Sequence, residues 1–214
     1  MHSTSSAAAR NGDRRETTPS LTRTLPSERR QTDGAAVAAA TRELLIALGA
    51  DLSSEGLRDT PRRMAAAYLE LLTPEPFNMT MFPNEGYDEL VLVRDIPFQS
   101  VCMHHVLPSH GVAHIAYLPA DRILGLSKLA GVLDLFARDL QLQERLTVQI
   151  GAWLQQQLQP KGVGVMLEAE HLCMSLRGVQ KPGATTVTSA LHGLVRDDPR
   201  TREEFLSLTG GKTR

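Results

Sequence analysis

Long apolar runs are missing from this 214-residue chain: none approaches the roughly 20 consecutive apolar residues that cross a bilayer. Cysteine is nearly absent. Two residues cannot build a disulfide framework in a chain this long, which points to a reducing, cytoplasmic setting. Aromatics make up only 4%, with one tryptophan, so a base-stacking surface for nucleic acid is not expected. Net charge is also close to zero: at −1 it offers no electrostatic argument for nucleic acid or an anionic membrane as partner. No internal repeat of fixed period is visible. What remains, 42% hydrophobic and 22% charged residues, is an ordinary soluble composition, enough to bury a full core.

Residues 1–33 contain no Val, Ile or aromatic residue. They cannot bury enough apolar surface to offset ordering entropy, so a disordered tail is expected there. Arg29-Arg30 faintly echoes a twin-arginine export signal, but Asp33, Arg42 and Glu43 interrupt the apolar stretch such a signal needs. A helical segment is expected over 34–76. Asp33 would cap a helix of about 35–48 that buries Val37, Leu44, Leu45 and Leu48. Thr60-Pro61 would open a second helix running to Leu72, with the threonine as N-cap.

Over 77–214 the pattern changes. Strands are expected at Leu90–Val93, Phe98–Val101 and Val112–Leu118. Two helices follow. Ser127 would cap the first, carrying Leu129, Val132, Leu133, Phe136 and Leu140; the second carries Leu142, Leu146, Ile150, Trp153, Leu154 and Leu158. Strands return near 163–169, 172–177 and 185–191, and Thr201 would cap a last helix with Phe205 and Leu208. Strands in pairs around two helices predict an α+β fold with an antiparallel sheet.

The chemistry concentrates in Cys102-Met103-His104-His105 and, 66 residues further on, His171-Leu172-Cys173. Together these hold both cysteines and three of the seven histidines. Cys102, His105 and Cys173 offer two soft thiolates and an imidazole, a donor set suited to zinc. Three protein ligands leave the fourth position open, as in catalytic zinc sites. His104 and His171 are the spare imidazoles. Near neutral pH they can exchange protons with a water whose pKa the metal lowers to ~7. The plainer alternatives are two small buried cysteines and two core histidines.

The motifs then follow a recognisable order: Cys102-x-His104-His105-x-x-Pro108, Gly125-Leu126-Ser127-Lys128-Leu129, Gln143-Glu144-Arg145-Leu146-Thr147, Glu170-His171-Leu172-Cys173, Arg177-Gly178, Thr186-Val187-Thr188-Ser189 and Thr201-Arg202-Glu203-Glu204-Phe205-Leu206. From about residue 38 to 208 the chain resembles GTP cyclohydrolase I. The resemblance implies a tunnelling fold, with two long helices on one face of an antiparallel sheet and an N-terminal helical extension. It implies a homo-oligomer, a decamer, with active sites between subunits. It implies Zn2+ on Cys102, His105 and Cys173, and proton transfer by His104 and His171. Glu144, helped by Gln143, would hold the guanine edge of GTP. Ser127, Lys128 and Arg177 would bind the triphosphate, with Arg63 from a neighbouring subunit. Without the resemblance, Glu144 is an exposed helix-start carboxylate and Ser127-Lys128 an N-cap with a solvated lysine.

The reaction so implied opens the imidazole ring of guanine by hydrolysis, releases formate and yields 7,8-dihydroneopterin triphosphate. Some positions depart from the family pattern. Met103 replaces a usual glutamate, Gly131 and Gln180 stand where arginines are usual, and Val112 where lysine is common. Hydrogen bonds to charged groups contribute about 1.5–3 kcal/mol each, so a lost arginine would weaken a phosphate contact by roughly one to two factors of ten. Alternatives are a paralogue opening another purine nucleotide and a non-catalytic assembly protein stabilised by zinc.

Overall fold

A computed structural model describes residues 32–210; the tail expected at 1–33 lies outside them except for its last two residues, and so does the twin-arginine pair. In chain order the elements are α1 (Gly34–Ala47), α2 (Thr60–Leu72), β1 (Met81–Pro83), β2 (Val91–Cys102), β3 (Pro108–Leu118), β4 (Arg122–Leu124), α3 (Leu126–Ala137), β5 (Leu140–Gln141), α4 (Gln143–Leu158), β6 (Gly162–His171), α5 (Leu172–Ser175), β7 (Thr185–Gly193), α6 (Leu194–Asp197) and α7 (Pro199–Thr209). Five strands form one sheet in the order β5-β2-β3-β6-β7, while β1 and β4 pair separately. The main ladders are antiparallel, and only the two-residue β5 joins β2 in parallel. This is the α+β architecture that the paired strands predict.

Two long helices cover one face. Leu129, Val132, Leu133 and Phe136 of α3 and Leu146, Ile150, Leu154 and Leu158 of α4 recur at spacings of three and four, so each set lines one side of its helix. They close on Phe98, Ile115, Tyr117, Val163, Val165 and Leu167, which alternate along the strands toward that face. Each such side chain contributes about 1.5–3 kcal/mol when fully buried. A smaller core forms on the opposite face, where α6 and α7 bring Val195 and Phe205 onto Leu90 and Ala116. Gly164 permits that approach, because a Cβ there would stand 2.9 Å from the Phe205 ring.

Several local expectations need correction. The strands expected at Leu90–Val93 and Phe98–Val101 are one strand, β2, whose pairing with β3 shifts between Val93 and Ile96. Asp95 absorbs the extra residue at φ 57°, and its N–H donates to Nδ1 of buried His114. Segment 172–177 is not a strand: β6 ends at His171 and a single helical turn follows. Ser175 Oγ bonds back to the Glu170 carboxylate and the His171 carbonyl, side-chain bonds that compete with an extended backbone.

Leu140 leaves the helix for β5 and is 38% exposed. The caps also move. Asp59, not Thr60, precedes α2, and Gly125, not Ser127, precedes α3, neither with a side-chain cap bond. Asp198, not Thr201, caps α7 by accepting from the Thr201 N–H. Asp33 caps α1 as expected, accepting from Ala35 and Ala36. The face of α1 that packs carries Gly34, Val37, Ala38, Thr41 and Leu45, whereas Leu44 and Leu48 are 47% and 73% exposed. The reason is that α1 rests on α2, Gly34 lying against Leu69, and the main core never reaches its other side. Among the described residues no helix is long and apolar enough to cross a membrane.

Candidate active site

The connection between β2 and β3 is short and tightly bonded. Cys102 closes β2, and its N–H donates to the Leu107 carbonyl while its own carbonyl accepts from Val106. Met103 N–H donates to Gln141 of β5, which pins the outer edge. Val106 sits at φ 55°, a left-handed conformation that a β-branched residue rarely adopts. It is held there from outside: Tyr68 of α2 donates its hydroxyl to the Val106 carbonyl at 3.0 Å. Backbone strain of about 1–3 kcal/mol is thus kept in the turn that presents His104 and His105. The two rings stand edge to face at 6.3 Å, both exposed.

Cys173 reaches the same place from α5. Its Sγ lies 3.9 Å from the Cys102 Sγ, which is 3.9 Å from His105 Nδ1. All three donor atoms fall within 4.8 Å of one another. Two thiolates on a tetrahedral zinc at ~2.3 Å stand about 3.8 Å apart, and thiolate and imidazole nitrogen about 3.6 Å. The residues therefore fit that ion with a fourth position left over. The electrostatics agree: burial and the adjacent Cys102 push the Cys173 thiol up, while Arg177 favours its thiolate. A divalent cation reverses such a repulsion, because both thiolates then face its charge.

His171, the last residue of β6, lies between this cluster and the first turn of α4. Its Nε2 is 2.7 Å from Gln143 Oε1. Burial lowers its pKa from the ordinary imidazole value, and the carboxylate of exposed Glu144 pulls in the other direction. Cys102, His105, Cys173, His171, Gln143, Glu144 and Arg177 are thus gathered at one end of the sheet, with His104 on the same turn.

The remaining candidates sit elsewhere in the chain. Ser127 and Lys128 open α3, whose far end meets the site: Ser100 Oγ donates to the Ala137 carbonyl. Nine residues of helix, about 14 Å, separate Lys128 from Ala137. Arg63, on α2, pairs loosely with Asp59 at 3.8 Å in the exposed first turn. Gly131 faces the segment before β1, and a Cβ there would stand 2.6 Å from the Phe77 ring. That ring packs on Trp153 and lies 6.0 Å below Lys128 Nζ.

Sequence reasoning missed Tyr68 and Glu170. Glu170 accepts from Ser175 Oγ and from the Gly183 N–H, closing the loop that carries Arg177. Its pKa is lowered by those two bonds. Only the motif position of Glu170, next to His171, could have flagged it.

Comparison with known proteins follows the same segment. The family described as GTP cyclohydrolase I matches residues 37–210. The GTP cyclohydrolase 1 of Mycolicibacterium vanbaalenii is 52% identical over 183 residues, 82% of this chain and 90% of that protein. Those of Aquifex aeolicus and Streptomyces griseus are 51% and 53% identical, covering 80% and 79% of this chain and 94% and 87% of theirs. Among solved structures, an archaeosine synthase QueF-Like in the apo form is similar over 49% of this chain and 93% of that one, at TM-score 0.41 and 18% identity, too slight a likeness to argue from.

Proposed function

The chain belongs to the GTP cyclohydrolase I family, and from that premise we propose that it hydrolyses the imidazole ring of GTP, releases formate and forms 7,8-dihydroneopterin triphosphate. The observation that carries the proposal is the Cys102–His105–Cys173 triangle with an imidazole and a carboxylate beside it. Cys102, His105 and Cys173 would hold zinc, which would supply Lewis-acid chemistry able to activate water at neutral pH. Glu144 accepts hydrogen bonds from the guanine edge and so orients the purine in the site. His104 and His171 move the protons that ring opening requires. Ser127, Lys128 and Arg177 bind the triphosphate, with Arg63 from a neighbouring copy.

We infer a homo-oligomer, a decamer with a tunnelling fold in which copies share the site; the exposed apolar side chains Leu44, Ile46 and Val187 support assembly. A reducing cytoplasm suits two thiols that must stay free to bind metal. Purified protein is expected to contain about one zinc per chain and to release formate from GTP as a fluorescent pteridine appears. Full zinc occupancy with neither product rejects the assignment.

A second reading is favoured by one contact. Phe77 fills the space a side chain at position 131 would need, and Gln180 is neutral, so the phosphate side carries less positive charge than the family pattern. On that reading the chain opens a nucleotide with fewer phosphates. Rates with GTP, GDP and GMP separate the two.

A further inference from the structure

Gln143 is buried in the first turn of α4, and its amide is committed in a way that leaves little for a substrate. The amide nitrogen lies 2.8 Å from the Thr186 carbonyl, 3.2 Å from the Leu167 carbonyl and 3.2 Å from Thr188 Oγ1. Backbone carbonyls only accept, so the group facing them must be the NH2, and the amide cannot be flipped. The hydroxyls agree. Thr147 Oγ1 donates to the Gln143 carbonyl at 2.7 Å, so Thr188 must be the donor in the 2.7 Å contact between the two threonines. Thr188 then has a lone pair, not a hydrogen, for the Gln143 nitrogen.

With the NH2 placed, Oε1 is the atom facing His171. It accepts only, so the hydrogen of neutral His171 is on Nε2 and the lone pair on Nδ1. We propose that Gln143 is a positioning residue. It locks His171 in one ring orientation and in the Nε2–H tautomer, and the Nδ1 lone pair is the one this contact leaves unused. Nothing in this needs Gln143 to touch guanine. The inference rests on His171 being a proton-transfer histidine, and the test keeps the two claims apart.

The test is a double-mutant cycle on the full, zinc-loaded chain: Gln143→Met, His171→Ala and the pair, reading kcat and KM for GTP, with zinc content and thermal midpoint as controls of folding. Gln143→Met is expected to lower kcat about 10–100-fold, as loss of an outer hydrogen-bond partner does, with KM within about twofold. Added to His171→Ala it is expected to change kcat by less than about twofold, because its partner is gone. A raised KM at unchanged kcat, or a further fall of kcat in the pair, overturns the positioning role. Full kcat in His171→Ala alone instead rejects the reading of His171 beneath it. If Gln143→Met does not fold, Gln143→Asn keeps an amide but draws its oxygen back by one methylene, and it runs through the same cycle with the same outcomes.

Discussion

Single atoms decide more here than residue types suggest. Gly131 reads in the sequence as a helix position that sacrifices about 1 kcal/mol relative to alanine. The structure supplies the reason: Phe77 occupies the space, with a would-be Cβ only 2.6 Å from its ring. Gly131→Ala is therefore expected to destabilise by up to about 2 kcal/mol, overpacking of 1–3 exceeding the propensity gain. In a Phe77→Leu background the same change is expected to stabilise, so urea melts of the four proteins read out a sign reversal. Val106 gives the opposite case. Replacing it by glycine removes left-handed strain of about 1–3 kcal/mol and adds about 0.5–1 kcal/mol of chain entropy. Val106→Gly should raise the thermal midpoint yet weaken zinc binding in a competition titration, because the hairpin loses its preset shape.

Elements deliver these atoms, and their ends matter most. The Asp198 carboxylate caps α7 through Thr201, and α7 carries Phe205 into the second core. Those bonds hold the Asp198 pKa below the ordinary carboxylate value. The sign follows from linkage. A carboxyl with a lowered folded-state pKa adds stability in full above the unfolded pKa, about 4, and loses it as pH falls through the folded value. Asp198→Ala should thus lower stability at pH 7 while flattening its fall as pH drops below about 4, measured by urea unfolding across the acid range. An unchanged acid limb would place the titration elsewhere. The capping error belongs to this scale too. Asp198 and Thr201 both carry cap-type side chains, and sequence alone does not say which backbone N–H each will meet. The 172–177 segment fails for a related reason: six residues of mixed polarity suit either a strand or a turn until Ser175 finds Glu170.

At the scale of the whole molecule, the single chain leaves much uncovered. Leu44 and Ile46 of α1, Leu48 just after it and Val187 on the edge strand β7 are 47%, 47%, 73% and 56% exposed. Ser127 and Lys128, at the start of α3, lie at the opposite end of that helix from the Cys102–His105–Cys173 group. Both facts make sense if copies complete one another. The expected outcome is subunit complementation: slow His171→Ala and slow Lys128→Ala chains, mixed and reassembled, should turn over GTP faster than the average of the two variants measured separately. Mixtures that co-assemble on a sizing column without any gain over that average would place the whole site within one chain.

Motif chemistry and hydrophobic spacing were legible from the outset. Cys102, His105 and Cys173 stand out as a candidate metal-binding set because few residue types bind zinc. The α3 and α4 stripes announce the core because helix geometry repeats every 3.6 residues. What the tertiary structure alone decided are matters of distance between residues far apart in the chain: that the three ligand atoms converge within 4.8 Å, that Phe77 fills the room beside Gly131, and that Gln143 faces two carbonyls and His171 rather than open space. Local sequence sets which conformations and partners are available. The choice among them depends on a packing free energy summed over the whole fold, and no window of the chain contains that sum.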